Sequence, residues 1–146
     1  MQIAIASDHA GFELKEKLKK AFEYVDWLDL GTHSADSVDY PAFGFAMGKA
    51  ITDGRVQKGV VICGSGIGIS IAVNRFPAAR AALCTNATMA RLSRQHNDAN
   101  VLALGSRIIG IEVARECVSA FLDTPFDGAR HQRRIDMLSA VAPAQT

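Results

Sequence analysis

The chain has 146 residues, a length that suits one domain covering residues 1–146. Hydrophobic residues make up 49% and charged residues 21%, which is typical of a globular protein and excludes an intrinsically disordered chain. The formal net charge of +1 gives no general attraction to nucleic acid or anionic membranes, so any anion must be bound by a local cluster.

Cysteine content and the amino terminus bear on the cell compartment. The 3 cysteines, Cys63, Cys84 and Cys117, form no CxxC pair, which disfavours a disulfide framework and a cysteine-rich zinc site. The first residues, MQIAIAS, lack the basic region and apolar core of a signal peptide, and no stretch approaches the ~18 apolar residues of a membrane span. We therefore expect reduced thiols in a cytoplasmic protein.

Short apolar runs alternate along the chain with segments of helical spacing. The runs predict strands at residues 3–7, 25–30, 59–63, 80–84 and 101–104. The helical segments are expected at residues 12–22, 41–52, from a glycine-rich turn to about 75, from a cap at 85 or 86 to about 95, from 111 to beyond 121, and 128–140.

This alternation predicts an α/β fold with one doubly wound domain. The strands are apolar almost throughout, which indicates a five-stranded parallel sheet with helices on both faces, and the order 2-1-3-4-5 fits the count. Such sheets bind ligands beyond the carboxyl ends of the strands where the winding direction changes. We therefore expect the turns after the first and third strands to lie side by side and to form the functional site.

The third strand is followed by the turn Gly64–Gly68, with the sequence GSGIG. Its glycines allow a tight bend that exposes backbone N–H groups, and a helix amino terminus adds partial positive charge. The turn therefore suits an anion or a developing oxyanion, and a purely structural strand-to-helix turn is the alternative. It has no Lys-Ser/Thr ending of a nucleotide P-loop, and Ile69 replaces the last glycine of the pattern GxGxxG.

Cys63 ends the third strand beside this row of amides. It is either a small buried hydrophobe, as we expect for Cys84 and Cys117, or a thiolate that acts as a nucleophile or a base. Its position in the sequence leaves both interpretations open.

Two polar pairs are further candidates. Asp8 and His9 end the first strand and either cap a turn or contact sugar hydroxyls and an anion, respectively. His96 and Asn97 precede the fifth strand and offer a titratable proton donor and a neutral hydrogen-bond donor, although a surface or capping role is the common one for such residues.

A basic segment near the carboxyl end concentrates positive charge in a nearly neutral chain. Arg130 and Arg134 are four residues apart and would share one helix face, where two guanidinium groups suit a phosphate dianion. The alternatives are a solvated helix face, cations placed against helix ends, and nucleic-acid binding, the last poorly supported without interleaved aromatic residues. The 4 histidines show no HxxxH or HExxH spacing, so no metal site is predicted.

Five motifs, in order along the chain, together resemble the B-type ribose-5-phosphate isomerases, a family that also contains galactose- and allose-6-phosphate isomerases. The motifs are SDHAGFELK at Ser7, DYP at Asp39, ICGSGIGISIAVNR at Ile62, LSRQHNDANVLALGSR at Leu92 and GARHQRR at Gly128. The resemblance covers residues 3 to about 140. It implies a Rossmann-like fold, no metal or other cofactor, and a homodimer, or a dimer of such dimers, with the active site between subunits.

The resemblance also implies roles for individual residues. Cys63 resembles the base that moves a proton between C1 and C2 of the open-chain sugar, and His96 resembles the acid/base that opens the furanose ring. The remaining expected site residues orient the base, hold the enediolate, contact sugar hydroxyls, line the pocket or bind the phosphate: Ser65, Gly64, Gly66, Ile67, Gly68, Asn97, Asp8, Tyr40, His9, Arg107, Arg130 and Arg134. Some of these groups are expected from the partner subunit.

One branch of the family uses a glutamate just after the glycine turn as its base. Here Ile69 occupies that position and Cys63 is present, so the cysteine branch is the better match. The implied reaction interconverts ribose 5-phosphate and ribulose 5-phosphate through an enediolate in the pentose phosphate pathway. Isomerisation of a six-carbon sugar phosphate and a non-catalytic module that binds a phosphorylated ligand are the alternatives.

Overall fold

The predicted alternation of strands and helices is present in the computed structural model, which describes residues 1–141. The strands are β1 (Gln2–Ser7), β2 (Asp26–Asp29), β3 (Lys58–Cys63), β4 (Ala81–Leu83) and β5 (Val101–Gly105). The helices are α1 (Phe12–Ala21), α2 (Tyr40–Thr52), α3 (Ile67–Val73), α4 (Ala87–Asn97), α5 (Ile111–Asp123) and α6 (Arg130–Ser139). The last residues of the predicted domain, 142–146, lie outside the described part.

All the strands are parallel, in the order β2-β1-β3-β5-β4. The doubly wound class is therefore confirmed, but the structure corrects the predicted order 2-1-3-4-5 at one edge, because β5 and not β4 pairs with β3. All residues of β5 are buried, which suits a central strand, whereas β4 is only three residues long and half-buried. A short strand of that kind is tolerated at an edge.

Helices cover both faces of the sheet, and alternate residues of the strands point into two separate cores. One core lies between the sheet and α1, α4 and α5, and includes Ile5, Ile62 and Leu104. The other lies beneath α2 and α3, and includes Ala6 and Val61. Among residues 1–141, none of the helices combines the length and the apolar content that crossing a membrane requires.

β1 and β3 are direct neighbours, with Ser7 opposite Ile62. The chain leaves β1 toward β2 and leaves β3 toward the other edge, so the winding direction changes between them. The prediction that the turns after these two strands lie side by side is confirmed.

A buried ion pair fixes α1 to the end of β2, and a further hydrogen bond fixes it to the loop that follows. The Lys15 side chain is fully buried, and its Nζ lies 2.7 and 2.8 Å from the Asp29 carboxylate oxygens and 2.7 Å from the Thr32 carbonyl oxygen. The same loop is joined to the end of β1, because the Ser7 N–H donates to the Gly31 carbonyl and the Thr32 N–H to the Ser7 carbonyl, each at 2.8 Å. These bonds position the loop that continues toward α2 and the site.

Candidate active site

A cleft of about 320 Å³ opens beyond the carboxyl ends of β1 and β3. It brings together many of the predicted site residues: Asp8, His9, Tyr40, Cys63, Gly64, Ser65, Gly68 and Arg107. Ala10 and Ile108 complete the lining and were not predicted, since neither carries a polar side chain that would single it out.

Cys63 lines this cleft although only 4% of it is exposed. Its Sγ accepts a hydrogen bond of 3.1 Å from the Gly66 N–H. Gly66 has a left-handed φ of 78°, and a Cβ there would lie 2.5 Å from the Leu83 side chain and 2.8 Å from the Leu104 carbonyl carbon. The glycine is therefore required for the bend that points an amide dipole at the sulfur. Cys63 is accordingly a cleft residue rather than only a core hydrophobe.

The remainder of the turn places Ser65 beside the cysteine. The Ser65 Oγ accepts a hydrogen bond of 3.1 Å from the Ile67 N–H at the start of α3. Gly66 and Ile67 are not among the residues that line the cleft. Gly66 is buried beneath it, and Ile67 is 53% exposed to solvent outside it. They contribute through their backbones, whereas Gly64, Ser65 and Gly68 line the cavity.

Arg107 reaches the cleft because β5 is the neighbour of β3. The Ser106 N–H donates to the Cys63 carbonyl and the Arg107 N–H to the Gly64 carbonyl, each at 2.9 Å. A Cβ on Gly64 would lie only 3.0 Å from the Arg107 Nη1, so the guanidinium group packs on the glycine turn. The strand order therefore supplies the cleft with a positive charge.

Asp8 and His9 are both held by backbone groups. The buried Asp8 carboxylate accepts a hydrogen bond of 3.1 Å from the Gly11 N–H, so it caps a turn and also lines the cleft. The His9 Nδ1 lies 3.1 Å from both the N–H and the carbonyl oxygen of Val38. When the neutral ring accepts from the Val38 N–H, its proton lies on Nε2, which makes Nε2 the donor toward a ligand.

Tyr40 forms a wall of the cleft at the start of α2. A Cβ on Gly68 would lie 2.6 Å from the Tyr40 Cζ, so the ring lies directly against the glycine backbone. The tyrosine is 41% exposed and is well placed to be covered when the site is occupied.

The other predicted site residues lie elsewhere in the same chain. His96 lies in the last turn of α4, with its ring stacked on that of His131 at 4.6 Å between centroids. Asn97 lines a separate cavity of about 380 Å³ together with Arg80. Arg130 and Arg134 are exposed on α6, which packs against α4. Within a single chain, the structure does not bring these four predicted residues to Cys63.

His96, Asp127 and His131 place possible metal-ligand atoms within 4.8 Å of one another. The charges around them oppose a divalent cation. Burial lowers the pKa of His131, and the positive charges of Arg130 and Arg134 and the neighbouring His96 lower it further, while Asp127 raises it. Two guanidinium groups against a single carboxylate leave a net positive charge around His131, so we assign no metal to this cluster.

A model of the Ribose/Galactose Isomerase family matches residues 3–138. The chain belongs to this family. It is 43% identical over 142 residues to ribose-5-phosphate isomerase B of Escherichia coli, a match that covers 96% of this chain and 95% of the relative.

Solved structures of the family agree with this fold. A ribose 5-phosphate isomerase from Thermotoga maritima superposes with a TM-score of 0.93 at 49% identity, covering 96% of this chain and 98% of the other. A ribose-5-phosphate isomerase B from Mycoplasma genitalium, whose structure holds ribulose-5-phosphate, has a TM-score of 0.89 at 38% identity, covering 94% and 93%. The chain is therefore an isomerase with the doubly wound fold of its relatives.

Proposed function

We propose that this protein interconverts D-ribose 5-phosphate and D-ribulose 5-phosphate through an enediolate, with Cys63 as the base. The observation that carries the proposal is the Cys63 Sγ in the cleft, held by the Gly66 N–H at 3.1 Å. The names of the relatives from E. coli and M. genitalium support ribose and ribulose 5-phosphate as the substrates.

The proton transfer begins with the open-chain aldose. The Cys63 thiolate removes the proton from C2, the C–H electrons form the C1–C2 double bond, and the carbonyl oxygen becomes the enediolate oxyanion. Transfer of the O2 proton to O1 and return of the proton from sulfur to C1 give the ketose. A base in this position contributes roughly 100- to 10,000-fold.

The glycine turn stabilises the negative charge that develops on oxygen. Amides of the segment from Gly64 to Gly68 are the donors that we assign to the enediolate, and Ser65 beside the sulfur orients the base. One well-aimed donor in a comparable site is worth roughly 3 kcal/mol. Asp8 is assigned to sugar hydroxyls, and the Nε2–H of His9 together with Arg107 to phosphate oxygens, because these three groups line the same cleft.

A second copy of the chain completes the site in this proposal. α4 leads from the carboxyl edge of the sheet back to the amino edge, where β5 begins, and its 11 residues span about 16 Å. His96 and Asn97 therefore lie at the edge opposite to their own cleft. If they act as the ring-opening acid/base and as a support for the enediolate, a homodimer must bring them, with Arg130 and Arg134, to the partner's Cys63.

Apolar side chains beside the cleft support association with a second copy. Phe45, Ile67 and Ile71, on α2 and α3, are 46%, 53% and 54% exposed. Apolar groups of this size exposed on neighbouring helices are typical of a protein interface. A twofold pairing that covers them would also bury the rim of the catalytic cleft, including Tyr40.

Mixing two inactive variants tests the shared site. Cys63→Ala and His96→Asn are expected to be inactive separately. If the two residues of one site come from different subunits, random exchange of subunits restores about a quarter of wild-type activity, since half of the dimers are hybrids with one intact site. A mixture that stays inactive, although mass analysis shows hybrid dimers, would contradict the shared site.

The substrate is tested by comparing kcat/KM for ribose 5-phosphate and allose 6-phosphate. We expect the five-carbon substrate to be preferred. A preference for the six-carbon substrate would overturn the assignment while leaving the enediolate chemistry, and turnover of neither would favour a phospho-ligand-binding module. We place the reaction in the pentose phosphate pathway of the cytoplasm, consistent with three cysteines that are all free.

A further inference from the structure

His131 is the closest aromatic neighbour of the proposed ring-opening residue. The imidazole rings of His96 and His131 stack with 4.6 Å between centroids and 14° between planes. His131 is only 8% exposed, in the first turn of α6, whereas His96 is half-buried in the last turn of α4. The reaction as proposed above gives His131 no part.

We propose that His131 is a positioning residue that holds the His96 ring at the angle from which it protonates the ring oxygen of the furanose. The inference rests on the proposed function. A half-buried side chain at a helix end samples several rotamers, and a flat buried neighbour reduces that freedom before the substrate binds. Correct orientation of an acid group accelerates proton transfer without a new contact to the substrate.

The segments that carry the two rings are tied together by backbone bonds. The Asp127 N–H donates to the Gln95 carbonyl at 3.1 Å, which joins the segment before α6 to the last turn of α4. The His131 N–H donates to the Gly128 carbonyl at 3.0 Å, and Ile135, one turn later, is buried. The backbone that carries the His131 ring is therefore fixed by hydrogen bonds before α6 and by the buried Ile135 within it.

Burial and the charges around the stack disfavour a proton on His131. The groups that face His131 are Asp127, Arg130, Arg134 and His96. Burial, followed by His96, Arg130 and Arg134, lowers the pKa of His131, which favours the neutral form of this ring. A neutral ring offers its π-face to the imidazolium that His96 becomes and does not compete for the proton.

The chemistry of the two sugars separates ring opening from proton transfer between carbons. Ribose 5-phosphate closes a furanose through O4 and must be opened before it reacts. Ribulose 5-phosphate cannot close the equivalent ring, because its O5 carries the phosphate. Exchange of a C1 hydrogen of ribulose 5-phosphate with deuterium oxide therefore requires Cys63 but no ring opening. A variant in which His96 is poorly positioned should be slow in the turnover of ribose 5-phosphate and normal in this exchange.

The experiment compares His131→Leu, which removes the flat ring, with His131→Phe, which keeps it. We expect His131→Leu to lower kcat for ribose 5-phosphate by about 10- to 100-fold, while deuterium exchange into ribulose 5-phosphate stays within about threefold of wild type. His131→Phe should keep both rates within about threefold. Thermal melting of the dimer tests that both variants are folded.

Three outcomes would overturn the proposal. Equal loss of turnover and exchange in His131→Leu would indicate a general structural role. A wild-type turnover in that variant, or a His131→Phe variant as slow as His131→Leu, would show that the stacked ring does not position His96. Absence of exchange in the wild-type protein is a different result, because it would reject the isomerase proposal itself.

Discussion

At the residue scale, the three cysteines differ in what surrounds their sulfur atoms. Burial raises the pKa of Cys84 to about 12, with a further rise from Cys117 and a partial offset by a hydrogen bond with Ser93. Burial, followed by the charge of Glu116, raises the pKa of Cys117 to about 11. Both lie in the core against α4 and α5, whereas Cys63 lines the cleft. Only Cys63 is positioned to react.

Alkylation should therefore be selective. We expect iodoacetamide at pH 8 to modify Cys63 in the native protein, to remove activity in parallel, and to be slowed by bound substrate. Cys84 and Cys117 should react only after denaturation, because burial blocks access and their thiols stay protonated at this pH. Peptide mass analysis over time measures the three rates, and native labelling of Cys117 as fast as Cys63 would contradict this view.

Arg134 and Arg133 are a matched pair on α6. Both are exposed, but Arg134 is the residue assigned with Arg130 to the phosphate, and Arg133 projects about 100° away from Arg134 around the helix axis. We expect Arg134→Ala to raise KM by about 10- to 100-fold with little change in kcat, since a charge-assisted contact to phosphate is worth about 1.5–3 kcal/mol. Arg133→Ala should leave both constants near wild type. A loss confined to kcat in Arg134→Ala would exclude a phosphate-binding role.

At the element scale, the turn between β3 and α3 depends on a left-handed glycine in a crowded position. Gly66 and Gly54 have similar φ values of 78° and 72°, but a Cβ on Gly54 meets nothing within 4 Å. The Gly54→Ala variant thus measures the backbone cost alone, about 1 kcal/mol.

We expect Gly66→Ala to destabilise the protein by at least about 2 kcal/mol more than Gly54→Ala, because its Cβ must displace Leu83 and the Leu104 backbone. It should also remove isomerase activity, since the amide that contacts Cys63 moves. Chemical denaturation of both variants gives the comparison, and equal free energies of unfolding would show that crowding at Gly66 is relieved without cost.

The ion pair between α1 and β2 predicts a pH dependence of stability. Burial alone would raise the pKa of Asp29, but hydrogen bonds from Lys15, Lys19 and the Gly31 amide outweigh it, and the pKa lies below its usual 3.8. A depressed carboxyl pKa contributes stability above the unfolded-state value, and that stability is lost as the pH falls through the folded-state value.

Asp29→Asn should therefore cost about 3 kcal/mol at pH 7, because it removes the nearer counter-ion of the fully buried Lys15 ammonium group and leaves only the Glu16 carboxylate, at 3.5 Å. The difference in melting temperature from wild type should shrink as the pH falls below 3.8. Melting curves from pH 7 to pH 3 test this. A difference that stays constant over the whole range would show that protonation of Asp29 does not govern acid stability.

At the scale of the whole molecule, apolar runs and helical spacing, together with proline, glycine and capping signals, predicted every strand and helix that the structure describes. It did not predict which of the last two strands is central, because residues 80–84 and 101–104 are both short apolar runs. Burial on both faces of the sheet decides between them, and burial is a tertiary property. The order matters to function, since it brings Arg107 to the glycine turn.

The candidate site was predictable where neighbouring strands end, and less so where distant segments meet. Asp8, His9 and Cys63 follow from the change in winding direction between β1 and β3. The Lys15–Asp29 pair spans 14 residues and two elements, and the His96–His131 stack joins α4 to α6. No local spacing reveals such contacts, because packing between elements creates them.

The account as a whole depends on proton transfer by the Cys63 thiolate, and hydrogen exchange at carbon tests that step most directly. Ribulose 5-phosphate is incubated in deuterium oxide with wild-type protein or with Cys63→Ala, and deuterium at C1 is followed by NMR. We predict exchange with the wild type, and no exchange with a Cys63→Ala variant that melts like the wild type and still binds the sugar phosphate. Undiminished exchange in Cys63→Ala would contradict the central claim.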